Sequence, residues 1–184
     1  MRFSAVLLAG GKSSRMGCDK AFLEIDGEPL WRRQLNILSD LEPQKIFIAG
    51  PPREQWRDYE ILPDALEDVG PLGGLTSALR ACRTPFLLAL AVDLPKITDT
   101  FLRNLLIEGS GVVPYLNRRY EPLVAIYPKA ALPIAETHLS SCEYSMQKFV
   151  QKCVAQHLVK PKEIPSSDAR LFTNLNAPQD IAAL

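Results

Sequence analysis

Seven consecutive apolar residues, Phe86 to Val92, constrain the fold of this chain more than any other stretch. The run is far shorter than the roughly 20 apolar residues needed to cross a bilayer. It has no polar alternation that would leave one face in water. It therefore predicts a strand buried on both faces, the environment of a central strand in a parallel sheet. Phe3 to Ala9 has the same character and stops at Gly10-Gly11, which predicts a second buried strand ended by a turn. Lys45 to Ala49, closed by Gly50-Pro51-Pro52, and the shorter Tyr59 to Leu62, closed by Pro63-Asp64, read as two more.

Helical spacing fills the intervals. Pro29 is expected to open a helix with Leu30, Trp31, Leu35, Leu38 and Leu41 on its apolar face, since proline is pre-set for the first helical position. The turn Gly70-Pro71-Leu72-Gly73-Gly74 leads into a helix expected to bury Leu72, Leu75, Leu79 and Cys82. Phe101, Leu102, Leu105 and Leu106 mark another, with Thr98 as N-cap and Asp99 in the first turn, where an acid suits the helix dipole. Strands alternating with helices give a parallel sheet covered on both sides, with right-handed crossovers. Beyond about residue 110 the pattern changes: Val112 to Leu116 and Tyr120 to Tyr127 flank Asn117-Arg118-Arg119 as a hairpin. A helix from Ser145 carries Met146, Phe149, Val150, Cys153 and Val154, and the tail ends in Asn174-Leu175-Asn176-Ala177-Pro178 and a short helix. No repeat or linker interrupts the 184 residues, and the 15 prolines scatter at element boundaries. The expected fold class is α/β: a single Rossmann-like, doubly wound, mostly parallel sheet with helices on both faces and a small hairpin insertion, one domain over residues 1–184.

Charge and cysteine usage narrow the function classes. Lys+Arg and Asp+Glu both number 21, so the formal net charge is zero, and 47% of residues are hydrophobic. That composition excludes a disordered tail protein and disfavours a nucleic-acid binder, which needs a basic excess or stripe. Cys18, Cys82, Cys142 and Cys153 form no CxxC pair, so neither a zinc site nor a disulfide framework is indicated and reduced thiols are expected. With no membrane-spanning run, the protein is expected in the cytoplasm.

In an open parallel sheet, ligands bind outside the carboxyl ends of the strands. After Ala9 comes Gly10-Gly11-Lys12-Ser13-Ser14-Arg15-Met16-Gly17-Cys18-Asp19-Lys20. Its glycines let backbone N–H groups approach a phosphate, and Lys12, Arg15 and Lys20 add cations. Arginine chelates phosphate oxygens as a fork, while lysine acts as a point charge. The combination asks for a polyanion such as a nucleoside triphosphate. It is not a P-loop, because GxxxxGK would need glycine at Val6, and GxGxxG is absent. Ser145-Met146-Gln147-Lys148 matches SxxK but lacks the SDN and KTG partners of that motif.

Asp93 directly follows the central strand. A carboxylate there can hold Mg²⁺ against substrate phosphates, or simply cap the following turn. Asp64, also past a strand's carboxyl end, has an acceptor pair suited to the N1–H and N2 amino group of guanine, or to an Asx-turn after Pro63. His138 and His157 are isolated and read as structural or surface residues. No Ser/His/Asp or Cys/His set stands out. Transfer to an acceptor that is itself a phosphate needs none, since catalysis reduces to in-line positioning and charge neutralisation.

Leu8-Ala9-Gly10-Gly11-Lys12-Ser13-Ser14-Arg15-Met16-Gly17 with Asp19-Lys20 closely resembles the signature of molybdenum cofactor guanylyltransferases. Gly27-Glu28-Pro29-Leu30, Gly70 to Leu75, Asp93-Leu94-Pro95 and Asn174 to Asp180 continue the match in order along the chain. The resemblance implies a nucleotide-diphospho-sugar transferase-like fold and transfer of GMP from GTP to the phosphate of Mo-molybdopterin, releasing pyrophosphate. It implies Leu8, Ala9, Gly10 and Lys20 as GTP-binding residues, Asp64 at the guanosine, and Asp93 as the Mg²⁺ ligand facing the triphosphate. Arg15, Lys20 and Asp93 would carry catalysis, with Arg15 neutralising the phosphates. Asn174 and Asn176 are similar to the family's C-terminal asparagines near the metal or the pterin. Tyr120-Glu121-Pro122-Leu123 would line the acceptor side, with Arg118 and Arg119 as anion contacts or solvated turn residues. The implied partners are GTP, Mo-molybdopterin and molybdoenzyme-delivery proteins, with no nucleic acid or membrane, and the chain is expected to act as a monomer.

Two positions depart from the family pattern: Val92 stands where a cysteine often precedes the metal aspartate, and Ala49-Gly50 where a polar residue commonly follows the second strand. The second weakens the selection of guanine over cytosine, whereas the Leu8-Ala9-Gly10-Gly11 opening favours GTP over the LAAG-type loop of CMP-transferring relatives. A cytidylyltransferase, a sugar-phosphate nucleotidyltransferase of the same fold and a non-catalytic nucleotide-binding regulator remain alternatives. A degenerate regulator would be expected to have lost at least one of Arg15, Lys20 and Asp93, and all three are present.

Overall fold

A computed structural model describes residues 1–10, 19–64, 66 and 68–175. The short helix expected after Pro178 lies outside these residues. In chain order the elements are β1 (Phe3–Leu8), a ribbon of β2 (Glu24–Ile25) and β3 (Glu28–Pro29), α1 (Leu30–Ser39), β4 (Ile46–Ala49) and β5 (Glu60–Leu62). There follow α2 (Pro71–Ala81), β6 (Phe86–Ala91), α3 (Asp99–Leu106), β7 (Val112–Leu116), β8 (Arg119–Tyr120) and β9 (Val124–Pro128). The last are α4 (Leu132–Ser140), α5 (Met146–Ala155) and β10 (Lys160–Glu163).

All strands except β2 and β3 join one sheet in the order β10-β7-β9-β6-β1-β4-β5, with β8 paired to β7. β6, β1, β4 and β5 run parallel, as the apolar runs predict. The hairpin takes a different form from the one expected. β7 and β8 meet in a tight turn with Asn117 and Arg118 at φ 49° and 63°. The chain then leaves that ribbon, and β9 enters the main sheet antiparallel between β6 and β7. The reason is burial: Val124, Ala125, Ile126 and Tyr127 point alternately to opposite faces and all are buried, which only an interior strand allows. Pro29 also sits one residue earlier than expected, ending β3 and capping α1, whose first residue is Leu30.

Strand alternation divides the interior into two cores. Ala5, Leu7, Ile48, Leu88 and Leu90 face α1, α3 and the segment around Phe172. Val6, Leu8, Phe47, Leu87, Ala89 and Tyr127 face α2, α4 and α5. Each buried leucine contributes roughly 1.5–3 kcal/mol relative to exposure. The caps follow the sequence: Thr98 accepts a hydrogen bond from the Phe101 amide, and Ser145 from the Lys148 amide. Ser145 is thus the cap of α5, and Lys148 pairs with Glu143, so the SxxK match has a structural basis. Tyr127, fully buried against Phe149, donates its hydroxyl to the Pro122 carbonyl at 2.7 Å and fixes the loop leading into β9. Among the described residues no helix is long and apolar enough to cross a membrane.

The carboxyl ends of β1 and β4 approach closely. Ala9 donates to the Ala49 carbonyl at 2.9 Å, and Gly50 donates to the Leu62 carbonyl at 3.1 Å. A Cβ on Gly50 would stand 2.9 Å from the Gly10 nitrogen and 3.1 Å from the Ala9 carbonyl carbon. Both obstacles are backbone and cannot rotate away. The glycine that departs from the family pattern is therefore what lets these strand ends touch. Gly50→Ala is expected to cost about 1–3 kcal/mol, the usual penalty of forced overpacking, seen as a lower urea midpoint at unchanged slope. An unchanged midpoint would show that the strand ends separate freely.

Candidate active site

Register builds the site. Leu8 pairs with Ala49 on one side and Ala91 on the other, and Ala49 pairs with Leu62. One or two residues further on, each strand delivers a residue to the same sheet edge: Gly10, Gly50, Asp64 and Asp93. Two adjoining clefts open there. One of about 330 Å³ is lined by Ala49, Asp64, Asp68, Gly70 and Gly74. The other, about 170 Å³, is lined by Asp19, Lys20, Ala91, Val92, Asp93 and Leu123. Leu8, Gly10 and Pro71 line both, so the clefts form one trough across the end of β1.

In the smaller cleft, Lys20 Nζ lies 3.5 Å from Asp93 Oδ2, both side chains about a quarter exposed (23% and 25%). The first loop and the central strand thus converge on one point. Lys20 is delivered there by a short 3-10 turn that Asp19 caps, accepting from the Ala21 amide. The other Asp19 oxygen accepts from Arg53 at 2.8 Å. Phe22, next in that turn, stacks on Trp56 at 5.9 Å and packs on Trp31 at 6.4 Å. Aromatic pairs of this kind are worth about 0.5–1.5 kcal/mol each beyond area burial, enough to hold the turn in place.

Asp93 is held from behind by its backbone. Its carbonyl accepts from the Leu175 amide at 3.0 Å, and the next carbonyl, of Leu94, accepts from the fully buried Gln34 side chain at 2.7 Å. The carboxylate itself faces the cleft and Lys20. Gln34 was not legible as a site residue, because one polar residue on a helix reads as surface. Its only signal is a position between Trp31 and Leu35 on the buried face. The Leu175 bond places Asn174 beside the same loop. Asn176 lies outside the described residues.

In the larger cleft, Asp64 lies over the glycines. A Cβ on Gly10 would come 3.6 Å from Asp64 Oδ2, and one on Gly74 would come 3.2 Å from Oδ1 and 2.9 Å from Ala49 Cβ. Gly74 therefore keeps α2 close to the sheet while leaving room for the carboxylate. Partial burial raises the Asp64 pKa above the usual aspartate value, because the charged form loses water.

Among the described residues, no group of three or more His, Cys, Asp or Glu side chains is placed to hold a metal. Asp93, facing the smaller cleft while the other carboxylate there, Asp19, is held by Arg53, fits a Mg²⁺ that takes its other ligands from substrate phosphates and water. Of the expected site residues, Leu8, Ala9, Gly10, Lys20, Asp64 and Asp93 all line the trough. Arg15 and Lys12 lie outside the described residues. Of Tyr120 to Leu123, only Leu123 reaches the cleft wall, and Arg118 and Arg119 are exposed at the β7–β8 turn. Tyr120 is held instead by Gln147, whose amide exchanges two hydrogen bonds with its backbone. Cys82, Cys142 and Cys153 are free thiols, and burial pushes Cys153 up to about 12, so it stays neutral.

The profile described as the MobA-like NTP transferase domain matches residues 5–158. The probable molybdenum cofactor guanylyltransferase of Opitutus terrae is 37% identical, covering 96% of this chain and 92% of the relative. The molybdenum cofactor guanylyltransferase of Syntrophotalea carbinolica is 33% identical, covering 98% and 90%. Among solved structures, the molybdopterin-guanine dinucleotide biosynthesis protein A of Archaeoglobus fulgidus superposes with TM-score 0.79 at 21% identity, over 98% of this chain and 95% of that one. The 2-C-methyl-D-erythritol 4-phosphate cytidylyltransferase of Thermus thermophilus gives 0.68 at 17% identity, over 97% and 95%. These two likenesses speak for the nucleotidyltransferase fold. With the sequence relatives and the matching profile, they place the chain in the MobA-like NTP transferase family, among the molybdenum cofactor guanylyltransferases.

Proposed function

We propose that this nucleotidyltransferase moves GMP from GTP to the phosphate of Mo-molybdopterin, with the base beside Asp64 and the triphosphate crossing Gly10 toward Lys20 and Asp93. One observation carries the proposal: a continuous trough joins an acceptor-bearing pocket at Asp64 to an opposite-charge pair, Lys20 and Asp93. Gly10, lacking a side chain, lets phosphate reach the backbone. Lys20 exchanges its carboxylate partner for phosphate oxygens, and Asp93 is then available to Mg²⁺. When bound there, Mg²⁺ neutralises charge that develops on the phosphate oxygens.

An ionised oxygen of the acceptor phosphate attacks the α-phosphorus in line. The bond from that phosphorus to the oxygen bridging the α and β phosphates breaks, and pyrophosphate leaves with the electron pair. No protein nucleophile is required. Lys20, together with Arg15, offsets the charge on the leaving phosphates. Asp64 in its ionised form accepts from the N1–H and N2 amino group of guanine. Leu123, in the wall of the smaller cleft, would line the side where the acceptor enters.

The function is tested with the four nucleoside triphosphates, Mg²⁺ and molybdopterin, reading pyrophosphate. We expect GTP to be preferred; preference for CTP would overturn the guanine assignment, and no turnover with any nucleotide would leave a nucleotide-binding regulator. Asp93→Ala should reduce Mg²⁺-dependent pyrophosphate release by at least about a hundredfold, the scale of losing one electrostatic contact to the reacting group, with folding intact. Wild-type turnover in that variant would remove Asp93 from the metal site. Because the Asp64 pKa is raised, its ionised form is lost at a higher pH than an ordinary aspartate's. GTP affinity should therefore fall as pH is lowered through that raised value. Asp64→Asn should weaken GTP by about tenfold or more and flatten this pH dependence. An identical pH profile in the variant would place the base elsewhere.

A further inference from the structure

A third cavity, of about 600 Å³, shares no lining residue with either cleft. Arg33 of α1, Lys96 in the loop after β6 and Arg170 near the tail all line it, with one carboxylate, Asp26, in the β2–β3 turn. Three cations against one acid is a marked local excess in a chain of zero formal net charge. Several basic side chains elsewhere are paired: Lys45 with Glu60, Arg53 with Asp19, Arg80 with Glu136, Arg103 with Asp99. Among the described residues, Arg33, Lys96, Arg170 and Asp26 form no ion pair. Arg33 Nε is moreover buried without a hydrogen-bond partner.

Such an arrangement is unfavourable unless something answers it. Like charges repel, and a buried donor that has given up water without a replacement is destabilising. A phosphate group answers both needs, because guanidinium forks match its oxygens and it carries the compensating charge. Ile25, Pro95 and Leu171 add apolar walls, which strengthen hydrogen bonds by lowering the local dielectric. The volume exceeds that of a bare phosphate and admits a small molecule bearing one.

We infer that the cavity between Arg33, Lys96 and Arg170 is a second anion site, which binds the phosphate group of a small phosphorylated molecule or of pyrophosphate. The site is independent of the nucleotide trough and does not require the guanylyl-transfer assignment to hold.

Calorimetric titration of the full chain at constant ionic strength, without Mg²⁺, tests this with inorganic phosphate, pyrophosphate and glucose 6-phosphate as probes. A Lys20→Gln background weakens the nucleotide trough, so the remaining saturable binding reports the second site. Arg33→Gln or Arg170→Gln in that background should weaken it about tenfold, the scale of one hydrogen bond to a charged group. Arg33→Lys should recover part of the loss. Circular dichroism and melting temperature establish that each variant folds, and the exposed Arg170 carries the test should Arg33→Gln fail to fold. Tightest binding of pyrophosphate would identify the released product as the ligand, and tightest binding of glucose 6-phosphate an organic phosphate; either supports the site. The inference is overturned if no probe binds saturably in the Lys20→Gln background, or if the binding that remains there is untouched by both Arg33→Gln and Arg170→Gln.

Discussion

The parallel register through Leu8 is the constraint on which the rest of this structure depends. Because Leu8 is level with both Ala49 and Ala91, the strands end together. The residues that leave them, Gly10, Gly50, Asp64 and Asp93, form a single row. Side-chain direction has period two, so a slip of one residue in any strand would exchange its core face for the opposite one. The separate cores on the two sides of the sheet prevent that slip. Apolar packing thereby sets the distance between the charged groups of the trough.

The trough combines two electrostatic environments. At one end Asp64 is partly stripped of water over Gly10 and Gly74, and its charged form is disfavoured. At the other, Asp93 faces Lys20 across 3.5 Å. A partly exposed ion pair of that kind adds little to stability, typically about 0–1 kcal/mol. Under the proposed function, its value lies in keeping a cation and a carboxylate together before any phosphate arrives, so that little rearrangement is needed on binding. The supports of that pair are structural: the Phe22, Trp31 and Trp56 cluster under the lysine, and Gln34 and Leu175 behind the aspartate.

Those parts of the fold governed by local pattern were legible in the sequence. Phe3 to Leu8, Phe86 to Ala91 and the apolar stripes of α1, α2, α3 and α5 lie where periodicity and caps predict. The order of strands was not, because an apolar run records that a strand is buried and not which neighbour covers it. Val124–Pro128 is the clear case, read as one arm of a hairpin and found inside the sheet. β10, with the sequence Lys-Pro-Lys-Glu, gave no strand signal at all, since an exposed edge can use charge and proline to discourage further pairing. The candidate residues were legible as polar and charged groups at strand ends, and the structure brings Gly10, Lys20, Asp64 and Asp93 to one trough. Their supports, Gln34 and Gly50, were not, because their roles arise from contacts between distant segments.

A crystal structure of the chain with Mg²⁺ and a non-hydrolysable GTP analogue tests the central claim most directly. The account predicts the triphosphate lying over Gly10, the metal on Asp93, Lys20 on phosphate oxygens and the guanine edge at Asp64. A nucleotide bound away from this trough, or bound in it with the base at Lys20 and the phosphates at Asp64, would contradict it.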